Sequence, residues 1–228
     1  MMWFMRNIAE SVIRTPSVSS VLECLLPYLC RMSEAVHLSS ARLPTAHGLF
    51  TLHAFDSGKA EQPHVALVHG DWQSSDAVWI RIHSECMTGD VFGSTRCDCG
   101  AQLHESMRVI GQEAGVLIYL RQEGRNIGLV NKLHAYNLQD EGRNTAEANE
   151  DLGFHADARD YEPAIQILRY FQIQRMRLLT NNPQKCQALE DAGFEVERAP
   201  LLVGHHAENA NYLDTKQNVF GHWINNHP

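Results

Sequence analysis

The sequence predicts an α+β (mixed α/β) fold, with a strand-rich N-terminal half that carries a cysteine-rich site and packs with a more helical C-terminal half. Three observations predict it. Short apolar or alternating runs bounded by turn residues crowd the stretch before Cys86. From Gln102 onward a helical apolar rhythm dominates, broken by brief runs that read as buried strands. Between the two halves, Cys86, Cys97 and Cys99 place three thiols in fourteen residues. The 228 residues are enough for one full core, with a second small subdomain as an option.

The first 40 residues differ from the rest. Their apolar clusters are broken by Pro16, Glu23 and Pro27, so they lack the run of about 18 apolar residues that spans a bilayer. Glu23 and Pro27 also interrupt the best stretch for a signal peptide. Residues 1–40 are expected to be an arm of one or two short amphipathic helices or loose chain, or to precede a true start at Met32. From Ala41 the pattern changes to strands, Leu49 to Phe55, His64 to Asp71 and Val78 to Glu85, with Ser57-Gly58 as turn chemistry.

A helix is expected from Gln102 to Gln112 through Leu103, Met107 and Ile110, then a buried strand from Val116 to Leu120. Asn126 to Asp140 reads as the next helix, and Asn144 to Leu152 as a short one ending at Gly153. A helix from about Asp160 to Phe171 precedes a strand from Met176 to Thr180. Pro183 then opens a helix to about Ala192 in the favoured first-turn position. The segment from Asn209 to Trp223 reads as polar loop followed by helix.

The cysteine stretch reads as a metal site. Residues two apart in extended chain point to one side, so Cys97 and Cys99 would span one edge of a tetrahedron, with Cys86 as a third corner. Zn–S bonds of about 2.3 Å set that edge at roughly 3.8 Å. Three protein ligands with one open position describe a catalytic zinc rather than a structural one. Taken alone, a Cys-x-Cys pair also fits two reduced structural thiols or a redox pair, the lesser of the readings here. Cys24, Cys30 and Cys186 stand apart, without the spacing of a disulfide framework.

Two turns suit an anion. Glu123, Gly124 and Arg125 precede a helix N-terminus, whose free N–H groups and dipole favour negative charge, and Arg125 adds a forked donor. Ordinary capping of a solvated turn is the plainer reading of that tripeptide. Asn181 to Lys185 repeats the strand, polar turn and helix arrangement, with Lys185 as its cation; no GxxxxGK[ST] is present, so this is not a P-loop. The formal net charge of −8 argues against a partner as large as a nucleic acid, but not against one nucleotide in a locally basic pocket.

Taken together, RIHSECMTGD, RCDCG, RQEGRNIGL, NKLHAYNLQD, TAEAN, DLGF, LLTNNPQK and YLDTK resemble the motifs of GTP cyclohydrolase II, in that family's order. The resemblance covers about residues 41–222 and leaves an arm, 1–40, and a tail, 223–228. It implies hydrolysis of GTP at C8 of guanine to 2,5-diamino-6-ribosylamino-4(3H)-pyrimidinone 5′-phosphate, formate and pyrophosphate, at the entry to riboflavin biosynthesis. One zinc per subunit on Cys86, Cys97 and Cys99 is implied, with magnesium on the triphosphate. Arg81, Ile82, His83, Ser84, Glu85, Gln102, Glu123, Gly124, Arg125, Thr145, Thr180 and Lys185 match GTP-contacting positions. Tyr136 matches a tyrosine near the base, and Asp157 and Arg159 a catalytic pair.

In that pair the aspartate is a proton acceptor and the arginine either a nucleophile toward the α-phosphate or, since a guanidinium stays protonated, a stabiliser of charge. A homodimer, a cytoplasmic location, and no membrane or nucleic-acid partner are also implied. The competing readings are an enzyme that stops at a formamidopyrimidine nucleotide, which the retained Tyr136 opposes, and a non-catalytic guanine-nucleotide sensor.

Overall fold

The computed structural model describes residues 35–59, 62–73 and 75–224. The expectations for residues 1–34 and 225–228 lie outside the described residues. Seven strands form one sheet: β1 (His37–Thr45), β2 (Gly48–Phe55), β3 (His64–His69), β4 (Val78–Ser84), β5 (Gly115–Leu120), β6 (Arg175–Leu179) and β7 (Glu195–Ala199). Their order is β1-β2-β3-β5-β4-β6-β7. The half from β1 to β5 pairs antiparallel, and β5, β4, β6 and β7 pair parallel.

Alternation along β4 sets the two faces of the sheet. Ile80 and Ile82 point into one core with Val116, Ile118 and Leu120 of β5, while Arg81 and His83 point the other way. On the first face lie α5 (Glu162–Tyr170), through Ala164, Ile165, Ile167 and Leu168, and α6 (Pro183–Asp191), through Cys186 and Leu189. On the second, α2 (Cys99–Gln112) brings Leu103, Met107 and Ile110 against Phe50, Leu67 and Leu117. Fully burying each such large apolar side chain contributes about 1.5–3 kcal/mol.

The remaining helices are α1 (Met87–Asp90), α3 (Gly128–Asp140), α4 (Thr145–Asp151) and α7 (Ala210–Asn218), the last preceded by a 3₁₀ turn, Ala207–Asn209. A capping box starts α4: Asn144 Oδ1 accepts from the N–H groups of Ala146 and Glu147, and Glu147 Oε2 accepts from Asn144 N–H. Pro183 opens α6, where Asn182 caps by accepting from Gln184 N–H at 3.0 Å.

Five details depart from expectation, the first being Asn209 to Trp223, where the helix comes first, as α7, and the loop follows it. β1 begins at His37, ahead of the change of pattern expected at Ala41, and β7 was not foreseen. The third helix begins at Gly128 rather than Asn126, because Arg125 and Asn126 adopt left-handed φ of 61° and 75° and keep the chain in a turn. Cys97 and Cys99 do not lie in extended chain: Cys97 sits in a bend, and Cys99 is the first residue of α2, with Asp98 between them at φ −94° and ψ 5°.

This topology places a crevice. The connection leaving β4 runs through α2 on one face, and the connection leaving β6 runs through α6 on the other. Neighbouring strands whose connections diverge leave a gap at their C-terminal ends, where open α/β sheets bind ligands. Here those ends are Ser84 and Leu179.

Candidate active site

A cleft of about 1040 Å³, counted to its mouth, occupies that gap. Arg81, His83, Ser84 and Glu85 line it from β4 and the residues after it, and Cys86, Cys97, Cys99 and Gln102 from the cysteine loop and α2. Gly124 and Arg125 enter from the turn before α3, Tyr136 from α3, Thr145 from α4, and Arg159, Thr180 and Lys185 from the second half of the chain. Three of the expected residues stand behind the wall. The Ile82 side chain is in the core on the far face, and only its carbonyl serves the cleft, accepting from Lys185 Nζ at 2.7 Å. Glu123 and Asp157 each hold a lining cation, Lys132 and Arg159.

The three thiols converge although they come from two segments. Their sulfurs lie within 4.8 Å of one another, and Cys86 Sγ is 3.6 Å from Cys97 Sγ. All three are free. Hydrogen bonds from Cys97 and Cys99 draw the Cys86 thiol's pKa far down, and the bond to Cys86, with burial, pushes Cys97 up to about 12 against a lowering by Cys99. Soft sulfur donors in this compact triad fit zinc. The pocket behind them is full: a Cβ on Gly89 would fall 2.9 Å from Cys97 Sγ and 3.2 Å from Cys86 Sγ. Only glycine leaves the sulfurs free to close on an ion.

A cation and a carboxylate stand beside the triad. Lys132 Nζ donates to Cys86 Sγ at 3.1 Å, Thr88 Oγ1 at 3.0 Å and Glu123 Oε1 at 2.7 Å. Burial alone would lower the pKa of this ammonium, and the Cys86 thiolate with Glu123 holds it up. Thr88 Oγ1 also meets the Tyr136 hydroxyl at 3.2 Å, and Arg96 stacks over the tyrosine ring at 4.9 Å. Burial raises the Tyr136 pKa, so the phenol stays neutral.

Beneath the cleft lies a polar floor. Arg81 donates to Leu179 O at 2.8 Å and Gln102 Oε1 at 2.7 Å, and Gln102 Nε2 donates to Asp98 Oδ2 at 2.6 Å. Burial lowers the Arg81 pKa to about 10 without discharging it. His83 Nε2 meets Asp90 at 3.0 Å, and Asp90 also accepts from Tyr119 Oη and Cys86 N–H, both at 2.9 Å. Burial lowers the His83 pKa, so its imidazole is neutral.

Cations also line the cleft. Arg159 donates to Asp157 Oδ1 at 2.8 Å, and Lys216 pairs with Asp98. Among the described residues the hydrogen bonds of Arg125 and Lys185 go to the carbonyls of Ala156 and Ile82. Burial first, then Arg81, Arg159 and Lys216, lower the Lys185 pKa. Two of these four cations are matched by carboxylates and two by carbonyls alone, a surplus of positive charge that makes a site for a polyanion.

The cleft thus joins a soft metal triad to a polyanion site, and residues 36–200 match the sequence profile described as GTP cyclohydrolase II. The chain belongs to the GTP cyclohydrolase II family. It is 51% identical over 194 residues to GTP cyclohydrolase-2 of Neisseria meningitidis serogroup C (strain FAM18), covering 84% of this chain and 98% of that one. With GTP cyclohydrolase-2 of Hahella chejuensis it shares 50% over 193 residues, 84% of this chain and 93% of that one. A longer relative is the riboflavin biosynthesis protein RibBA of Chlorobium phaeovibrioides, 50% identical over 203 residues. The chain spans half the length of that protein, and the match covers 88% of the chain.

Several residues of this GTP cyclohydrolase II chain were not singled out in the sequence: Lys132, Lys216 and His222, which line the cleft, and Thr88 and Asp98, which hold the first two. Lys132 carried a usable signal, since it lies one turn before Tyr136 on the same helical face. Lys216 carried none, because its partner Asp98 is 118 residues away. Among the described residues no helix is long and apolar enough to cross a membrane.

Proposed function

We propose that this chain hydrolyses GTP to 2,5-diamino-6-ribosylamino-4(3H)-pyrimidinone 5′-phosphate, formate and pyrophosphate, the first committed step of riboflavin biosynthesis. The observation that carries this reading is the pairing, in one cleft, of the Cys86, Cys97 and Cys99 triad with the cations Arg125, Arg159, Lys185 and Lys216. The guanine faces the sulfurs and Tyr136, and the triphosphate lies among the cations. A zinc ion on the three cysteines supplies Lewis acidity and brings the pKa of water toward neutrality.

The residues divide the remaining work. Tyr136, neutral and tied to Thr88 at 3.2 Å, holds or passes a proton beside the base. Asp157 orients Arg159: burial pushes its carboxyl up, but the Arg159 guanidinium outweighs that and keeps it below the ordinary value of 3.8. A carboxylate so engaged is a weak base, and a guanidinium held protonated is not a nucleophile. Arg159 therefore acts by stabilising charge on the phosphoryl group as pyrophosphate leaves. Ser84 Oγ is buried without a hydrogen-bond partner among the described residues, and it offers a donor to the substrate. Magnesium on the triphosphate, a homodimer and a cytoplasmic location complete the reading on the strength of the family resemblance.

The test is to incubate zinc-loaded protein with GTP and magnesium, following formate and pyrophosphate separately, beside Cys97→Ser. The wild type is expected to release both, and the variant to lose formate. A wild type that binds GTP and releases neither would replace this reading with the sensor.

A further inference from the structure

Beyond α7 the chain turns back to the cleft. Val219 and Phe220 close the helix by donating to Thr215 O, and His222 N–H donates to Lys216 O at 2.9 Å. Gly221, at φ +67°, makes the turn. Three contacts then pin the segment. Phe220 lies under the Arg125 guanidinium at 3.9 Å, Trp223 N–H donates to Asn181 O at 2.9 Å, and Trp223 meets Arg198 at 4.6 Å. Ile224 is buried just beyond.

The segment delivers one polar side chain to the cleft wall, His222. Its Nε2 is fully shielded and has no hydrogen-bond partner among the described residues. A buried ring nitrogen without a partner costs free energy that folding alone does not recover. The cations that act on this imidazole line the same cleft from four separate elements: Lys216 of α7, Arg159 of the loop before α5, Lys185 of α6, and Arg125 of the turn before α3. Burial and these four cations push its pKa down to about 2, so the ring is neutral in the open site. A neutral imidazole still offers one N–H, and among the described residues no acceptor is bonded to Nε2.

We propose that His222 is a further substrate-contact residue, whose imidazole N–H donates to a phosphoryl oxygen of the triphosphate among Arg125, Arg159, Lys185 and Lys216. The proposal rests on the reading of GTP as substrate. It also gives the segment after α7 a role, since docking on Arg125 and Asn181 is what aims the ring. Lysine or arginine at position 222 would add a fifth like charge, whereas histidine adds a donor without one.

The experiment measures equilibrium binding of GTP and of guanosine to the zinc-loaded protein, in wild type, His222→Ala and His222→Gln. A hydrogen bond to a charged oxygen predicts a loss of about tenfold to a hundredfold in GTP affinity for His222→Ala, with guanosine unchanged. His222→Gln carries an amide N–H near the Nε2 position and is expected to recover most of that loss. Equal weakening of GTP and guanosine would mean that the ring only supports the fold, and unchanged GTP binding in His222→Ala would also overturn the proposal. A wild type that fails to bind GTP would overturn the substrate reading itself, and this inference with it.

Discussion

Lys132 holds its ammonium 3.1 Å from Cys86 Sγ, although 46 residues separate the two. Three thiolates around a divalent ion leave one negative charge in a buried place, and Lys132 is the cation that offsets it. Lys132→Met keeps the bulk of the side chain and removes the charge. Zinc affinity is expected to fall by about tenfold to a hundredfold, as when other outer partners of metal ligands are removed. Competition with a chromophoric chelator measures it; an unchanged affinity would show that the triad tolerates its own charge.

Gly89→Ala tests the packing behind the sulfurs. The new methyl would sit 2.9 Å from Cys97 Sγ and 3.2 Å from Cys86 Sγ, and Gly89 has no positive φ to add backbone strain. Steric pressure on the triad is then the whole effect. Zinc retained after gel filtration is expected to drop well below one ion per chain, while the far-UV circular dichroism stays that of the wild type.

Asp157 gives the fold an acid-sensitive component. Its folded pKa is below 3.8 because Arg159 outweighs the effect of burial, so its contribution is complete above about pH 4. That contribution falls as pH drops below 3.8 toward the folded value, where the unfolded chain takes up the proton and the folded chain does not. Urea unfolding of Asp157→Asn between pH 2.5 and 6 should lack this component of the acid slope. A wild-type slope in the variant would assign acid lability to other carboxylates.

Asp98 and Lys216 should behave as one unit. Asp98 lies between two of the thiols and is almost wholly buried, so Lys216→Met alone leaves an uncompensated charge and is expected to cost about 3–5 kcal/mol. Adding Asp98→Asn should return much of that. A double-mutant cycle from urea midpoints measures the coupling, and additive losses would mean that the pair is incidental.

The sequence showed those parts of the molecule where chemistry or burial is dense within a short window. Ile80 and Ile82 alternate against a buried core, and the thiols of Cys86, Cys97 and Cys99 crowd one stretch, so both could be read directly. β1 and β7 could not. As edge strands they bury little: His37–Thr45 is mostly exposed, and Glu195–Ala199 alternates charges where an inner strand would alternate apolar residues. The local geometry at Cys97 and Cys99 was misread as extended because spacing alone cannot separate a bend entering a helix from a strand. Partners such as Asp98 with Lys216, or the ring of His222 among four cations, exist only once distant segments meet.

That distance has a consequence for the order in which the enzyme comes into being. Cys86, Cys97, Cys99 and Lys132 lie in one early span of the chain and need only β4, α2, β5 and α3 to meet. The rest of the cleft is closed by links spanning 98 residues, Arg81 to Leu179, and 118 residues, Asp98 to Lys216. Contacts of such separation form late, because closing long loops must precede any gain from them. On the ribosome, synthesis therefore supplies all three thiols and Lys132 well before it supplies Lys185 and Lys216 of the same cleft lining.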